Sequence, residues 1–319
     1  MTKAANYTPI SSLGFKACEP DLPLLPEGCL GAAAGLLEVG LLLCGGLRDG
    51  KTASNSCWLL RLGSSSRWER ADSLPQATAF PAYSVLADHL YVAGGVTNLE
   101  MAALNTVQAY SSKDGWSTLA PLPTPRYGGC ALAHPGDAID PTGYLLVVGG
   151  WDPKNMKKVE SVQTKVEVYS ATRRRWKELA VETSWKGGMG ISCTTGSGPL
   201  DTTSMALVGG VQVKRVDGVL AVQPVSSITR LHFNGTRMPA DAVPSPEVVL
   251  QPGVGWLGEN LLVVGTRHGK LLKSGEEGNE WEEVDPGSSF IREMAVHIVL
   301  HGKWASDASC KVLQGKSFF

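Results

Sequence analysis

The sequence predicts an all-β fold made of repeated four-stranded sheets. The first observation behind this prediction is an apolar run that ends in a glycine pair and recurs at intervals of 49 to 60 residues. Its copies are LLLCGG ending at Gly46, YVAGG at Gly95, LLVVGG at Gly150, MALVGG at Gly210 and a degraded LLVVGT that contains Gly265. The second observation is an aromatic residue after each copy, and the third is a proline-containing link between units, such as DSLPQ or APLPTPR. Together these signals indicate a repeat architecture.

Each unit is predicted to hold four short antiparallel strands. In the second unit these are AYSVLA, HLYVAGG, NTVQAYS and GWSTLA. A single sheet of this kind cannot bury both of its faces, so the copies have to pack on one another. Stacking them radially produces a β-propeller. We expect the glycine pair to let the tryptophan of the neighbouring sheet lie against bare backbone.

Four features of these units resemble the kelch repeat family. They are the double glycine, the third-strand tyrosine at Tyr110 and Tyr169, the tryptophan of the fourth strand, and Arg126 after the proline-rich link. The resemblance extends from about Phe15 to the carboxyl terminus. It implies a propeller that serves as a scaffold, binds actin or recognises the substrates of a ubiquitin ligase. The last role normally needs a BTB or F-box segment, for which the residues before Phe15 are too few. We therefore expect a stand-alone kelch protein, one that recruits an adaptor in another way, or a piece of a longer chain.

We expect a six-bladed kelch-type propeller, with five blades as the alternative count. A short tail at 1–14 precedes a single domain at 15–319. The predicted blades cover residues 26–75, 76–123, 124–180, 181–242, 243–288, and 289–319 completed by 15–25. In this arrangement the amino-terminal strand at Phe15 completes the last blade and closes the ring without a covalent bond.

Charge and hydropathy argue against several functional classes. The chain of 319 residues has 29 Lys and Arg against 30 Asp and Glu, a net charge of −1. That balance gives no overall attraction to nucleic acid or to an anionic membrane. The longest apolar stretch, 30–47, contains Glu38 and several glycines, which disfavours a membrane span. We therefore predict neither a nucleic-acid nor a membrane partner.

The cysteines and the amino terminus indicate a cytoplasmic protein. No apolar segment typical of a secretory signal opens the chain. The 7 cysteines are scattered and form no CxxC pair. An odd number without metal-ligand spacing predicts reduced thiols rather than a disulfide framework or a zinc site.

Motifs for catalysis and for cofactor binding are missing from the sequence. No GxSxG elbow, phosphate-binding loop or dinucleotide fingerprint occurs. His297 and His301 would share one face of a strand, but no adjacent glutamate completes a metalloprotease pattern. We therefore expect a protein without enzymatic activity, bound cofactor or metal.

The candidate binding surface is the face where the links between second and third strands emerge. Antiparallel pairing places these links on the same face as the links between units. The two long ones run from Trp151 to Val162 and from Val211 to Ser227. Basic residues of these links are Arg48, Lys51, Lys154, Lys157, Lys158, Lys214, Arg215, Arg267 and Lys270, and the inter-unit links add Arg126, Lys186 and Arg292 at a position predicted to be equivalent.

Two hypotheses of different class follow from this surface. The first is a protein–protein interaction module that binds a partner protein or an acidic peptide at the basic face. A hydrated surface would carry the same charges without a partner. The second is an enzyme acting on a small molecule such as a sugar acid in the central channel, with Arg126, Arg292 and His297 as candidate lining residues. The oligomeric state is open.

Overall fold

The computed structural model is all-β throughout its described part. The described residues are 8–9, 23, 25–61, 67–100, 102–152, 165–182, 188–197, 203–217, 219–233, 238–245, 252–257, 260–264, 271–274 and 281–285. They contain 23 strands and no helix, so nothing in these ranges could cross a membrane as a helix.

The strands are short and follow one another closely along the chain. In the first half they are β1 (Thr8–Pro9), β2 (Ala33–Leu37), β3 (Gly40–Cys44), β4 (Cys57–Leu60), β5 (Trp68–Ala71), β6 (Ala82–Leu86), β7 (His89–Ala93), β8 (Val107–Ser111), β9 (Gly115–Thr118), β10 (Tyr127–His134), β11 (Tyr144–Trp151) and β12 (Lys165–Ser170). In the second half they are β13 (Arg175–Glu182), β14 (Ser192–Ser197), β15 (Thr203–Val208), β16 (Val211–Val216), β17 (Val219–Pro224), β18 (Ser227–His232), β19 (Met238–Pro244), β20 (Gly253–Leu257), β21 (Asn260–Val264), β22 (Leu271–Ser274) and β23 (Trp281–Asp285).

Successive strands form antiparallel meanders. Two four-stranded sheets have the orders β2-β3-β4-β5 and β6-β7-β8-β9. An eight-stranded sheet, β10-β11-β12-β13-β19-β18-β15-β14, consists of two meanders that join through a short parallel pairing of β13 with β19. A five-stranded sheet has the order β1-β23-β22-β21-β20, and β16 and β17 form a separate two-stranded ribbon. The first strands of consecutive meanders lie side by side, as a radial arrangement requires.

The prediction of six blades is wrong for the part of the chain that the structure describes. These residues form four large sheets, because the third and fourth repeat units share one sheet. The range 286–319, which was expected to supply most of a sixth blade, lies outside the described residues. So does the predicted closing segment at 15–25 except for residues 23 and 25, whereas β1 pairs in parallel with β23.

The glycine pairs have a role that differs from the one expected. Both glycines of the first three pairs, at 45–46, 94–95 and 149–150, have positive φ, which favours residues without a Cβ. A Cβ on Gly45 would lie 2.5 Å from the carbonyl oxygen of Thr78, at the start of the next unit. A Cβ on Gly149 would meet the oxygen of Gly188 in the same way. The pair therefore admits the backbone of the next unit, and not its tryptophan.

The tryptophans instead pack on the tyrosines of their own sheets. The ring centroids of Tyr110 and Trp116 are 5.3 Å apart, and those of Tyr169 and Trp176 are 5.1 Å apart. The Trp116 indole N–H donates to the carbonyl of Asp72 at 2.8 Å, in the link that precedes the unit. Each of these tryptophans is half-buried, packs against the core between its own sheet and the preceding one, and anchors the link from the preceding unit.

The cores lie between neighbouring sheets. Leu42 of β3 and Leu90 of β7 belong to the core between the first two units. Val147 of β11 packs with residues of the second unit, and Leu207 of β15 with residues of the third. Since each sheet buries apolar side chains on both faces, no unit has a complete core of its own.

The expectation of reduced thiols is wrong for four cysteines. Cys44 and Cys57 form a disulfide between the paired strands β3 and β4. Cys130 and Cys193 form another between the first strands of units three and four. Their sequence separations of 13 and 63 residues do not reveal pairings that depend on the arrangement of the sheets. Cys29 is free and buried, and burial raises the pKa of its thiol to about 11.

Candidate functional site

The candidate site is the face where the second-to-third-strand links emerge, which we call the link face. Its described links contain residues 45–56, 94–100, 102–106, 209–217 and 219–226. Seven basic residues that were predicted for this face, Lys154, Lys157, Lys158, Lys186, Arg267, Lys270 and Arg292, lie outside the described part of the chain, as does the channel candidate His297. Of the predicted members, Arg126, Arg48 and Lys51 occupy different environments. Lys214 and Arg215 lie in β16.

Arg126 lies in the interior and not on the link face. Its side chain and that of Glu167 are both 0 % exposed, and its Nη2 is 2.9 Å from Glu167 Oε1. Its Nη1 donates to the carbonyl oxygen of Gly149 at 2.8 Å, and its Nε donates to that of Thr124 at 3.3 Å. The guanidinium therefore joins the start of β10 to the end of β11 and to β12, where neither a partner nor a channel ligand reaches it.

Burial dominates the electrostatics of this ion pair. It lowers the pKa of Arg126 below its ordinary value, although the negative charge of Glu167 acts in the opposite direction. A guanidinium stays protonated under such conditions. Glu167 Oε2 has no hydrogen-bond partner among the described residues, so the carboxylate depends on Arg126 for its compensation.

The position of Arg126 in the repeat is held by different residues in other units. The carbonyl oxygen of Arg126 accepts a hydrogen bond from Gly95 N at 2.8 Å. Thr78 O accepts from Gly46 N at 2.9 Å, and Gly188 O accepts from Gly150 N at 2.7 Å. Since these three contacts are equivalent, the unit-four counterpart of Arg126 is Gly188. Lys186, which was predicted to be equivalent to Arg126, comes two residues before this position.

Arg48 is on the link face, but its charge is compensated. Its Nε lies 2.9 Å from Glu27 Oε2, and its Nη2 donates to the hydroxyls of Ser54 and Ser56 at 3.3 and 3.2 Å. Burial alone would raise the pKa of Glu27, but hydrogen bonds from Trp58 and Ser56 and the charge of Arg48 together lower it. Arg48 therefore adds little free positive charge to the surface. Lys51, in the same link, is exposed.

The link of unit two is fastened to its neighbours. Ala53 N of unit one donates to Thr97 O at 2.8 Å, and Leu104 N donates to Gly95 O at 2.7 Å. The buried Asp152 accepts a hydrogen bond from Ala103 N at 3.3 Å. This link therefore belongs to the body of the propeller and presents little unpaired backbone.

The link of unit four contrasts with it, because it forms the hairpin β16–β17. The pairing of Val216 with Val219 leaves two residues for the turn, and the first of them, Asp217, has a φ of 50°. Val216, Val219 and Val222 are 53 %, 69 % and 65 % exposed. Lys214 and Arg215 occupy positions within β16.

Sequence reasoning missed this hairpin, although its signal was present. The segment VQVKRVDGVLAVQ contains Asp-Gly between alternating apolar residues, which is a strong short-range indication of a hairpin. The long link of unit four was instead predicted to be an irregular loop. The exposed valines are therefore the functional candidates that the charge analysis overlooked.

The opposite face carries a second distinctive feature in unit three. The link between β10 and β11 contains Asp140, which is 1 % exposed. Its carboxylate accepts hydrogen bonds from the hydroxyls of Ser170 and Thr172 and from Gly143 N. Burial alone would raise the pKa of Asp140, but these hydrogen bonds outweigh it and lower the pKa. The Arg173-Arg174-Arg175 run in the adjacent turn is exposed.

Comparison with known proteins supports the architecture. No family model matches the chain, and no curated protein matches it. The solved structure of YjhT matches with a TM-score of 0.65 at 16 % sequence identity, covering 86 % of this chain and 88 % of that one. At this identity the likeness shows the fold alone. The chain is a β-propeller protein built from antiparallel sheets.

Proposed function

We propose that the chain is a kelch-type propeller that binds a protein or peptide partner through its link face and has no catalytic role. The observation that carries this proposal is the hairpin β16–β17. It places three exposed valines on a short ribbon of that face. Val216 and Val219 form a cross-strand pair on one side of the ribbon and Val222 lies on the other side, so both sides of the hairpin present apolar surface that a partner could cover.

The assignment to the kelch type is supported by the chemistry of the repeat. The glycine pairs have positive φ and admit the backbone of the next unit. The tyrosine–tryptophan contacts recur in units two and three. These features coincide with the motif residues on which the resemblance rests.

The alternative of a channel enzyme has less support. Arg126, its first candidate residue, is enclosed with Glu167. Among the described residues no group of three or more His, Cys, Asp or Glu side chains could hold a metal ion. No described observation favours a reaction in the channel over binding at the link face.

Site-specific photo-crosslinking in cells tests the proposal. A photoreactive amino acid replaces Val222 on the link face, and a matched variant carries it at the exposed Lys113 on the opposite face. We expect discrete crosslinked partner bands from position 222 and none above background from position 113. Equal labelling from both faces, or crosslinks from position 113 alone, would refute a partner-binding link face.

A further inference from the structure

The disulfide between Cys130 and Cys193 lies at the junction of units three and four. Cys130 is paired with Val148 and Cys193 with Leu207, and each partner comes shortly before the glycine pair of its unit. The disulfide therefore joins the first strands β10 and β14 near their link-face ends. These are the two end strands of the eight-stranded sheet and do not pair with each other. The covalent bond thus connects strands that the sheet itself leaves unconnected.

The other two described junctions between consecutive units have no covalent bond at the equivalent place. The register puts Ala82 and Ala131 at the corresponding positions between units two and three, and both belong to one core cluster. Between units one and two the corresponding residues are Ala33 and Tyr83, which also share a cluster. The propeller therefore packs at this position without a disulfide. The bond between units three and four adds to an apolar core and does not replace one.

The two disulfides of the chain differ in exposure. Cys44 and Cys57 are 1 % and 0 % exposed, in the core between units one and two. Cys130 is 7 % exposed, whereas Cys193 is half-buried, as is Ser192 beside it. Reduction begins when a thiolate attacks one sulfur of a disulfide, so its rate depends on access to that sulfur. Cys193 is therefore the half of the two bridges that a reducing thiol reaches most readily.

We propose that the Cys130–Cys193 disulfide is a redox-sensitive staple, which a dithiol opens while the Cys44–Cys57 disulfide stays oxidised. One thiolate of the dithiol attacks the sulfur of Cys193, forms a mixed disulfide and displaces the thiolate of Cys130, which takes up a proton. The second thiol of the dithiol then displaces Cys193 as a thiol, and the reagent leaves as a cyclic disulfide. Two electrons and two protons pass from the dithiol to the protein. The staple is independent of the proposed partner binding.

Opening the staple leaves unit four attached to unit three by non-covalent contacts. At this junction Gly190 N donates to Gly128 O at 2.6 Å, and Gly150 N donates to Gly188 O at 2.7 Å. The parallel pairing of β13 with β19 joins the same two units. Without a cross-link between residues that are 63 positions apart, the locally opened strands of unit four have more conformational freedom. We therefore expect unit four to remain folded but to open locally more often.

Timed alkylation tests the difference between the two disulfides. The full chain is incubated in its folded state with excess dithiothreitol, samples are quenched with N-ethylmaleimide, and mass spectrometry follows the labelling of each cysteine. We expect Cys130 and Cys193 to be labelled about tenfold faster than Cys44 and Cys57. Equal rates for the two pairs, or faster labelling of Cys44 and Cys57, would overturn the proposal.

Hydrogen exchange before and after this reduction tests the structural consequence. We expect the amides of β14 and β15 to exchange about tenfold faster in the reduced protein, and those of β6 and β7 to change less than about twofold. Unchanged exchange in β14 and β15 would overturn the staple. An equal increase in all four strands would overturn it too, because the effect would then be global and not confined to unit four.

Two double variants separate the loss of the bond from the action of the reagent. Cys130→Ala with Cys193→Ala copies the alanine pair between units two and three and should reproduce the exchange of the reduced protein. The matched control, Cys44→Ala with Cys57→Val, copies the paired residues of unit two at those positions and should leave β14 and β15 unchanged. Faster exchange of β14 and β15 in the control, or none in the first variant, would overturn the proposal. The reduction of the unchanged protein gives the answer even if a double variant fails to fold.

Discussion

Units two and three solve the same structural problem with different chemistry. In unit two, Thr78 Oγ1 donates to Gly94 O at 2.8 Å. In unit three, Arg126 Nη1 donates to Gly149 O at 2.8 Å. The third strands differ in a corresponding way. Gln108 pairs with Val92 in unit two, and Glu167 pairs with Val147 at the equivalent position in unit three. A neutral pair and an ion pair thus occupy equivalent sites.

The comparison shows what these buried polar groups do. The carbonyl of the first glycine in each pair needs a donor, because the chain turns away from the ladder there. A hydroxyl satisfies it in unit two and a guanidinium in unit three. Since the uncharged hydroxyl of Thr78 performs the same role, the charged side chain of Arg126 has a structural role and is not evidence of a ligand.

The largest expected effect is the loss of stability on truncating the ion pair. Arg126→Ala leaves the carboxylate of Glu167 uncompensated in the interior, and we expect the free energy of unfolding to fall by about 3 to 5 kcal/mol. Urea denaturation followed by tryptophan fluorescence measures it. The matched control is Arg48→Ala, whose ion pair is 58 % exposed on the arginine side and should cost less than about 1 kcal/mol. Equal losses in the two variants would contradict the assignment.

Replacing the ion pair of unit three by the residues of unit two should lower the free energy of unfolding less than this truncation does. Gln108 accepts from Gln76 N at 2.7 Å and donates to Gln76 O at 3.2 Å. Thr124 stands at the equivalent place before Arg126, two residues earlier in the chain. In the double variant Arg126→Thr with Glu167→Gln, the new amide can bind the backbone of Thr124 in the same way.

We expect this double variant to lose only about 2 kcal/mol, mainly through the cavity left by the shorter side chain. A double-mutant cycle with Arg126→Thr and Glu167→Gln alone measures the coupling between the two positions. If the double variant is less stable than Arg126→Thr alone, the equivalence of the two sites is refuted.

The sequence was sufficient to predict the features that depend on local chemistry. The repeat was visible because the glycine pairs and the aromatic residues recur at regular intervals, although the role expected for the glycine pairs was wrong. It was not sufficient for features that depend on distance through space. The enclosure of Arg126, the pairing of Cys130 with Cys193 and the merging of units three and four into one sheet all arise from contacts between segments far apart in the chain.

A further difference between the two units lies on the opposite face. The first-to-second-strand turn of unit two is formed by Ala87 and Asp88, and the carboxylate of Asp88 accepts a hydrogen bond from Glu38 N at an exposed site. In unit three the longer link buries Asp140 among hydroxyl donors, which lower its pKa. The carboxylate of Asp140 should therefore contribute to the acid response of the fold.

The smallest expected effect is the contribution of Asp140 to the acid response. Because the folded pKa of Asp140 is below its unfolded value, its ionised form stabilises the fold above about pH 4, and this contribution is lost as the pH falls through the folded pKa. Asp140→Asn should therefore reduce the loss of stability between pH 5 and pH 3 relative to the unchanged protein. Urea denaturation of both proteins at the two pH values measures this loss. An identical acid response of the variant and of the unchanged protein would show that the buried link of unit three adds no pH dependence.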